Sequence, residues 1–364
     1  MAKQRNTTVE LFRFIFSLLV IGYHVQMYFA EGAQFFANGA LAVEFFFLLS
    51  GYFFASSIEK LNGQQIGFIK GSYQILKGKV KGIFPTHIIA IIAVIIIILC
   101  CNLANAGTLI VHGIPSMFLV HLADFWDNTF NWALIVPEWY LSAMLISLLF
   151  MAPIALLLRK KLRGEWIPLI LIGILAVFLL ICGLVTNWKI FGSTNFQYDL
   201  RAWGEMAVGM YAYHFAKYLT SKEHNNKSKI ALPIVEILLY CIPVVLGFIP
   251  ITPNLMGLCM GLTVVCVFFA ISLTFGNKGV QITKIGVNKF FAYLGSISLA
   301  MYLFHPVILT LLNYVWPEID LYIAHLIVFP ATIILAAIFG LCEKGIKNLI
   351  KKKKEQNIET QKVS

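Results

Sequence analysis

Residues 9–30 read VELFRFIFSLLVIGYHVQMYFA, an apolar run broken only by the ionisable residues Glu10, Arg13 and His24. A helix needs roughly 20 predominantly apolar residues to cross the hydrocarbon core of a bilayer, and this run has that length. Similar runs occupy 39–57, 83–101, 139–158, 165–186, 203–220, 231–249, 254–275, 290–315 and 321–342. The pattern predicts an all-α integral membrane protein of about ten transmembrane helices, with no room for a separate soluble domain. Residues 1–343 then form one transmembrane domain. Residues 344–364 form a polar, lysine-rich cytoplasmic tail, of which Lys351 to Ser364 is expected to be disordered with its lysines against anionic lipid. Two segments do not read as simple spans. Residues 60–82 mix basic and apolar side chains and fit an inner-surface segment. Residues 107–126, interrupted by Gly113 and Pro115, fit an interfacial or re-entrant piece on the outer side.

Composition agrees with a membrane class. Hydrophobic residues are 59% of the 364 positions and charged residues 12%, against about half and about a quarter in ordinary soluble domains. The net charge of +11 does not point to nucleic acid, because the basic residues sit between apolar runs. Lys3 and Arg5 precede the first run. Lys60, Lys70, Lys77, Lys79 and Lys81 lie in the second connection, and Arg159 to Lys161 with Arg163 in the fourth. Lys217, Lys222, Lys227 and Lys229 lie in the sixth, Lys278, Lys284 and Lys289 in the eighth, and Lys344, Lys347 and Lys351 to Lys354 follow the last run. All are even-numbered connections or termini, while the odd-numbered ones hold Lys189, with Arg201 at an edge. By the positive-inside rule both termini are cytoplasmic. The seven cysteines lie in or beside apolar runs with no CxxC pair, so neither disulfides nor a metal site is expected. The first run has no small-residue cleavage site after it and reads as a retained helix.

Ionisable residues inside membrane spans are costly and mark function by default. Arg13 and His24 are eleven residues apart, which places them on one helix face about 16 Å apart in height. Arg13 then lies low, toward the cytoplasm, where a cation suits a phosphate-bearing donor. His24 lies in the outer half, where an imidazole suits a general base acting on a hydroxyl. A snorkelling arginine and a histidine satisfied by helix packing remain the alternative. Glu44 needs a partner or a wet cavity, and an arginine or histidine of the first span is the nearest candidate. Ser50-Gly51 is a small pair that lets helices approach closely. Glu236, inside the seventh run, has no evident partner but a lysine at the inner mouth.

Six stretches in order resemble the acyltransferase-3 family of membrane-integral acyltransferases. The first is Arg13, ten residues, then His24. The second is GALAVEFFFLLSG (39–51), with Glu44 where family members usually have Asp. The third is the basic cluster Lys77, Lys79 and Lys81 with Ile83 before Pro85. The fourth is Trp139-Tyr-Leu-Ser142, the fifth Arg201, Glu205 and Gly209, and the sixth LGSISLAMYLFH from Leu294 to His305. Many members carry a glutamate two residues after the serine of the tryptophan stretch. Here that position is Met144, and Glu138 instead precedes the tryptophan, at the outer mouth.

The resemblance implies transfer of an acyl group, often acetyl, from cytoplasmic acyl-CoA to a hydroxyl of a cell-surface or lipid-linked glycan. It implies His24 as general base with Glu44 orienting it, and donor contacts from Arg13, Lys77 and Lys81. It implies acceptor contacts from Trp139, Ser142, Tyr302 and His305, and from Arg201 and Glu205, with two alternatives open: that Arg201 and Glu205 pair with each other, and that His305, before Pro306, marks a kink satisfied by a neighbouring helix. Acyl-CoA enters as donor substrate, and no permanently bound cofactor or metal is expected. The bilayer, the glycan and a separate extracytoplasmic acyl-accepting protein are the partners such chemistry would use. A bacterial plasma membrane is the expected location. The competing reading is a transporter exporting a glycan precursor or other small solute, although the chain shows no long internal repeat of the kind transporters carry.

Overall fold

Asn6 opens the first helix. Its side-chain oxygen accepts from the backbone N–H groups of Thr8 (3.1 Å) and Val9 (3.3 Å), two of the donors that no preceding turn can satisfy. In the computed structural model of the chain residues 6–30, 35–61, 66–104, 106–120, 134–161, 196–223, 226–280 and 288–363 are described, together with Gly32 and Gln64. The helices are α1 Thr7–Phe29, α2 Ala42–Lys60, α3 Phe68–Cys100, α4 Ala106–Phe118, α5 Trp139–Lys161, α6 Phe196–Ser221, α7 Asn226–Phe248, α8 Pro253–Phe275, α9 Asn288–Val315 and α10 Leu321–Val363. Short 3-10 turns, Gly39–Leu41 and Val136–Glu138, lead directly into α2 and α5. No strand occurs among the described residues.

Eight of these segments are long and apolar enough to cross a membrane: α1, α2 with its leading turn, α3, α5, α7, α8, α9 and α10. The expected span 203–220 is the helix α6. It carries Asp199, Arg201, Glu205 and Lys217 and is held among α2, α5 and α8. The expected span 165–186 lies outside the described residues. Exposed apolar faces, such as Ile92, Ile96 and Leu99 on α3 and Leu326, Ile334 and Leu341 on α10, are what a lipid-facing surface requires.

The two ends of the bundle are set by contacts far apart in sequence. At one end Glu59 of α2 meets Lys217 of α6 at 2.6 Å. Lys278, after α8, donates to the Lys222 carbonyl at 2.6 Å, and Thr8 of α1 donates to the Val280 carbonyl at 3.1 Å. This basic end gathers the start of α1 and the ends of α2, α6 and α8. At the opposite end the Asn38 N–H donates to the Gly247 carbonyl at 3.1 Å and its side chain to the Ile249 carbonyl. Phe36 packs there on Phe248 and His325, so the start of α2, the end of α7 and the start of α10 share that end. Among the described residues α2 thus runs toward the basic end, α7 away from it and α8 back toward it.

Two helix pairs form the centre, α1 with α9 and α2 with α6. On α2 and α6 glycines face backbone: a Cβ on Gly51 would collide with the Met206 carbonyl, and one on Gly209 with the Leu48 carbonyl. Small residues here set the distance between backbones.

Three expectations are corrected. Residues 68–82 are not a separate surface segment but the first half of α3, a helix of 33 residues and about 50 Å. Gly71, Ile75 and Ile83 are buried along it, which keeps the basic half on the same axis as the span. The C-terminal tail is not disordered, since α10 continues to Val363. Lysine, glutamate and glutamine are good helix formers, and Lys347 pairs with Glu343 one turn back at 2.6 Å. Among the described residues Glu236 has no lysine partner. Its carboxylate accepts from the Thr274 hydroxyl and from the Val280 N–H (2.5 Å), tying α7 to the loop after α8.

Candidate active site

Arg13 and Ser17, one turn apart on α1, face a cavity of about 250 Å³. Helices α2, α3, α5 and α9 supply its other walls. Gly78 and Gly82 of α3, also one turn apart, form an open strip along it: no atom lies within 4 Å of where either Cβ would stand. A second cavity of about 350 Å³ lies between the end of α2 and the start of α3, lined in part by Ser57, Lys60 and Gln74. Both are lined by Gly78 and Lys79, so the two adjoin along α3, and a path from the basic end into the bundle would follow them.

The cations on that path are Arg13, Lys60 and Lys79. Arg13 holds Glu10 at 3.4 Å. Lys77 and Lys81 line neither cavity: both are exposed, and the Lys77 ammonium sits 5.3 Å from the Tyr73 ring. Helical spacing gives the reason. Residues four apart share a face, whereas a residue two positions from each stands about 200° around. Of the three lysines of the basic cluster, the middle one, Lys79, is the one that lines the cavities.

At its inner end the cavity meets aromatic side chains. The Tyr140 hydroxyl donates to the Phe46 carbonyl (3.0 Å) and lies 3.1 Å from the Ser50 hydroxyl, which in turn lies 3.3 Å from the Met144 sulfur. The Tyr302 hydroxyl donates to the Pro137 carbonyl. The two tyrosine rings meet edge to face at 6.0 Å. One turn beyond Tyr302 is His305, whose ring lies 5.0 Å from that of His24. His24 Nδ1 is 2.8 Å from the Val20 carbonyl and His305 Nδ1 is 3.3 Å from the Met301 carbonyl. A carbonyl only accepts, so each Nδ1 carries the hydrogen and each neutral ring presents its lone pair at Nε2. The His305 Nε2 is buried without a hydrogen-bond partner. The structure thus brings His24, Tyr302 and His305 together, with Arg13 toward the other end of the same stack of helices.

Glu44 lies elsewhere. Its partner is not on the first helix but is Arg201 of α6. Arg201 also holds Glu205 one turn on at 3.0 Å and lies 5.6 Å from the Trp139 ring. Glu44 sits in the first turn of α2, where the neighbouring Phe45 stacks on Phe16 of α1. Trp139, Arg201, Glu205 and Glu44 form one cluster, and Ser142 is buried on α5 without lining either cavity.

One buried pair was not anticipated. His87 of α3 and Glu138 of the turn before α5 are both fully buried, with Nδ1 and Oε2 3.9 Å apart. Glu138 is therefore not at an open mouth. A histidine inside the apolar run 83–101 was the available signal for this pair.

A helical bundle of membrane-crossing segments, with cations at one end of an internal cavity and two imidazoles beyond the other, defines a multi-pass membrane protein with an internal site suited to group transfer. The chain matches the family described as acyltransferase domain over residues 6–342, nearly its whole length, and it belongs to that family of membrane acyltransferases. Neither the curated proteins nor the solved structures compared with it give a match.

Proposed function

We propose that the protein transfers an acyl group, acetyl in the first instance, from cytoplasmic acyl-CoA to a hydroxyl of a cell-surface or lipid-linked glycan, in a plasma membrane. The observation that carries this reading is the order of groups along the cavity. Lys60, Lys79 and Arg13 suit the phosphates of coenzyme A at the basic end. The glycine strip of α3 leaves room for a narrow pantetheine arm, and the histidines stand one turn beyond Tyr302. In the reaction His24 Nε2 takes the proton of the acceptor hydroxyl as its oxygen attacks the thioester carbon. The carbon–sulfur bond breaks, and the departing thiolate recovers the proton from the imidazolium. The cluster of Glu44, Arg201, Glu205 and Trp139 suits the acceptor side, where a ring face and a fixed guanidinium serve sugar hydroxyls.

The test is label transfer from radiolabelled acetyl-CoA in inside-out vesicles carrying the purified protein, with His24→Ala beside the wild type. Label moving to a glycan, or acetyl-CoA hydrolysed, by the wild type and not by His24→Ala supports the reading. If neither protein consumes any of several acyl-CoAs, the transport reading takes its place.

A further inference from the structure

We infer that His87 and Glu138 are positioning residues that fix Tyr302 for acyl transfer, an inference that rests on the transfer reading above. Neither residue lines the cavity, and both are removed from solvent. A buried pair of this kind is seldom retained for stability, because well-packed apolar residues of similar volume do as well or better.

Its connections show what the pair holds. His87 Nε2 lies 3.0 Å from the Ser116 carbonyl, so that nitrogen carries a hydrogen and donates it. The Ser116 hydroxyl accepts from the Leu134 N–H at 3.1 Å. The Glu138 N–H donates to the Ile135 carbonyl at 2.9 Å, closing the turn Val136–Glu138. The segment from Leu134 to Glu138 is thereby fastened to α4 at one end and to α3 at the other. Between those fastenings is Pro137, whose carbonyl accepts the Tyr302 hydroxyl. Tyr302 is 5% exposed, lines the cavity, and has its ring 6.1 Å from that of His305. The His87 hydrogen at Nε2 is committed to Ser116, and Nδ1 faces the Glu138 carboxyl 3.9 Å away, where a hydrogen donor on residue 138 would satisfy it. An amide at position 138 supplies such a donor, and a methyl group does not.

The experiment measures initial rates of acyl transfer against acetyl-CoA concentration for wild type, Glu138→Ala, Glu138→Gln, His87→Gln, Tyr302→Phe and the double variant Glu138→Ala/Tyr302→Phe. Glu138→Ala and Tyr302→Phe are each expected to lower kcat about tenfold with KM for acetyl-CoA within about twofold. The double variant should be no slower than either single one, because both act through the same contact. Glu138→Gln should retain the wild-type rate, and His87→Gln should lose kcat as Glu138→Ala does, giving a second reading if the alanine variant does not fold. An unchanged kcat in the folded Glu138→Ala or His87→Gln protein overturns the inference. So does a double variant slower by about a hundredfold, or failure of Glu138→Gln to restore the rate. A wild type that consumes no acyl-CoA overturns the transfer reading itself. It is told apart from those results because all proteins then read alike.

Discussion

Replacing Lys79 with alanine tests which face of α3 meets the acyl donor. Lys79 lines both cavities, whereas Lys77 and Lys81 are exposed and line neither. A hydrogen bond between an ammonium and a phosphate contributes about 1.5–3 kcal/mol. At about 1.4 kcal/mol per factor of ten, its loss raises KM for acetyl-CoA by about tenfold to about 150-fold. The lysine does not touch the reacting carbon, so kcat should fall far less. Initial rates of thiol release across a range of acetyl-CoA concentrations measure this, with Lys77→Ala and Lys81→Ala as controls expected to stay within about twofold of wild type. Raising the salt concentration should narrow the difference between Lys79→Ala and wild type, since screening weakens the same contact. An unchanged KM in Lys79→Ala, or an equal rise in Lys81→Ala, would refute the placement of the donor along the glycine strip.

Two further outcomes concern the bundle itself. Gly51→Ala should lower the unfolding midpoint in detergent, by a cost of about 1–3 kcal/mol for forcing a methyl group against the Met206 carbonyl, while Gly82→Ala, which points into open space, should leave it unchanged; thermal unfolding of the two proteins compares them. Arg201→Ala leaves Glu44 and Glu205 buried without their cation and should cost about 3–5 kcal/mol, with Glu44→Gln milder than Arg201→Ala in the same unfolding assay.

The membrane class, most helices and the family were legible in the sequence because they depend on local information: run lengths, the position of lysines and the order of short motifs. Lys79 illustrates where that information ends. Lys77, Lys79 and Lys81 alternate along α3, so composition gives the cluster but not the inward face, which depends on where α1, α5 and α9 lie. The partner of Glu44 was out of reach for a similar reason. Arg201 is 157 positions away, whereas the nearest candidates along the chain are the arginine and histidine of the first span. His87 belongs to no motif, and Glu138 reads in the sequence as a residue of the outer mouth. Their meaning comes from the packing of α3 against the turn before α5. The tail was misread because a lysine- and glutamine-rich stretch satisfies the composition of disorder and of a long exposed helix equally well.

The Tyr140 and Tyr302 pair has an electrical consequence. Water admitted to the cavity from the basic end would carry the potential of that side inward. The insulating layer at this spot is then not the full bilayer thickness but the short septum of tyrosine rings and what lies beyond it. The membrane voltage falls across that septum, which concentrates the field on His24 and His305. Moving one full charge across the whole drop would cost about 2.3 kcal/mol per 100 mV, so a proton parked on either imidazole feels the cell's energisation directly. Both tyrosine hydroxyls are tied to backbone carbonyls, so neither is loose in the septum to conduct ions.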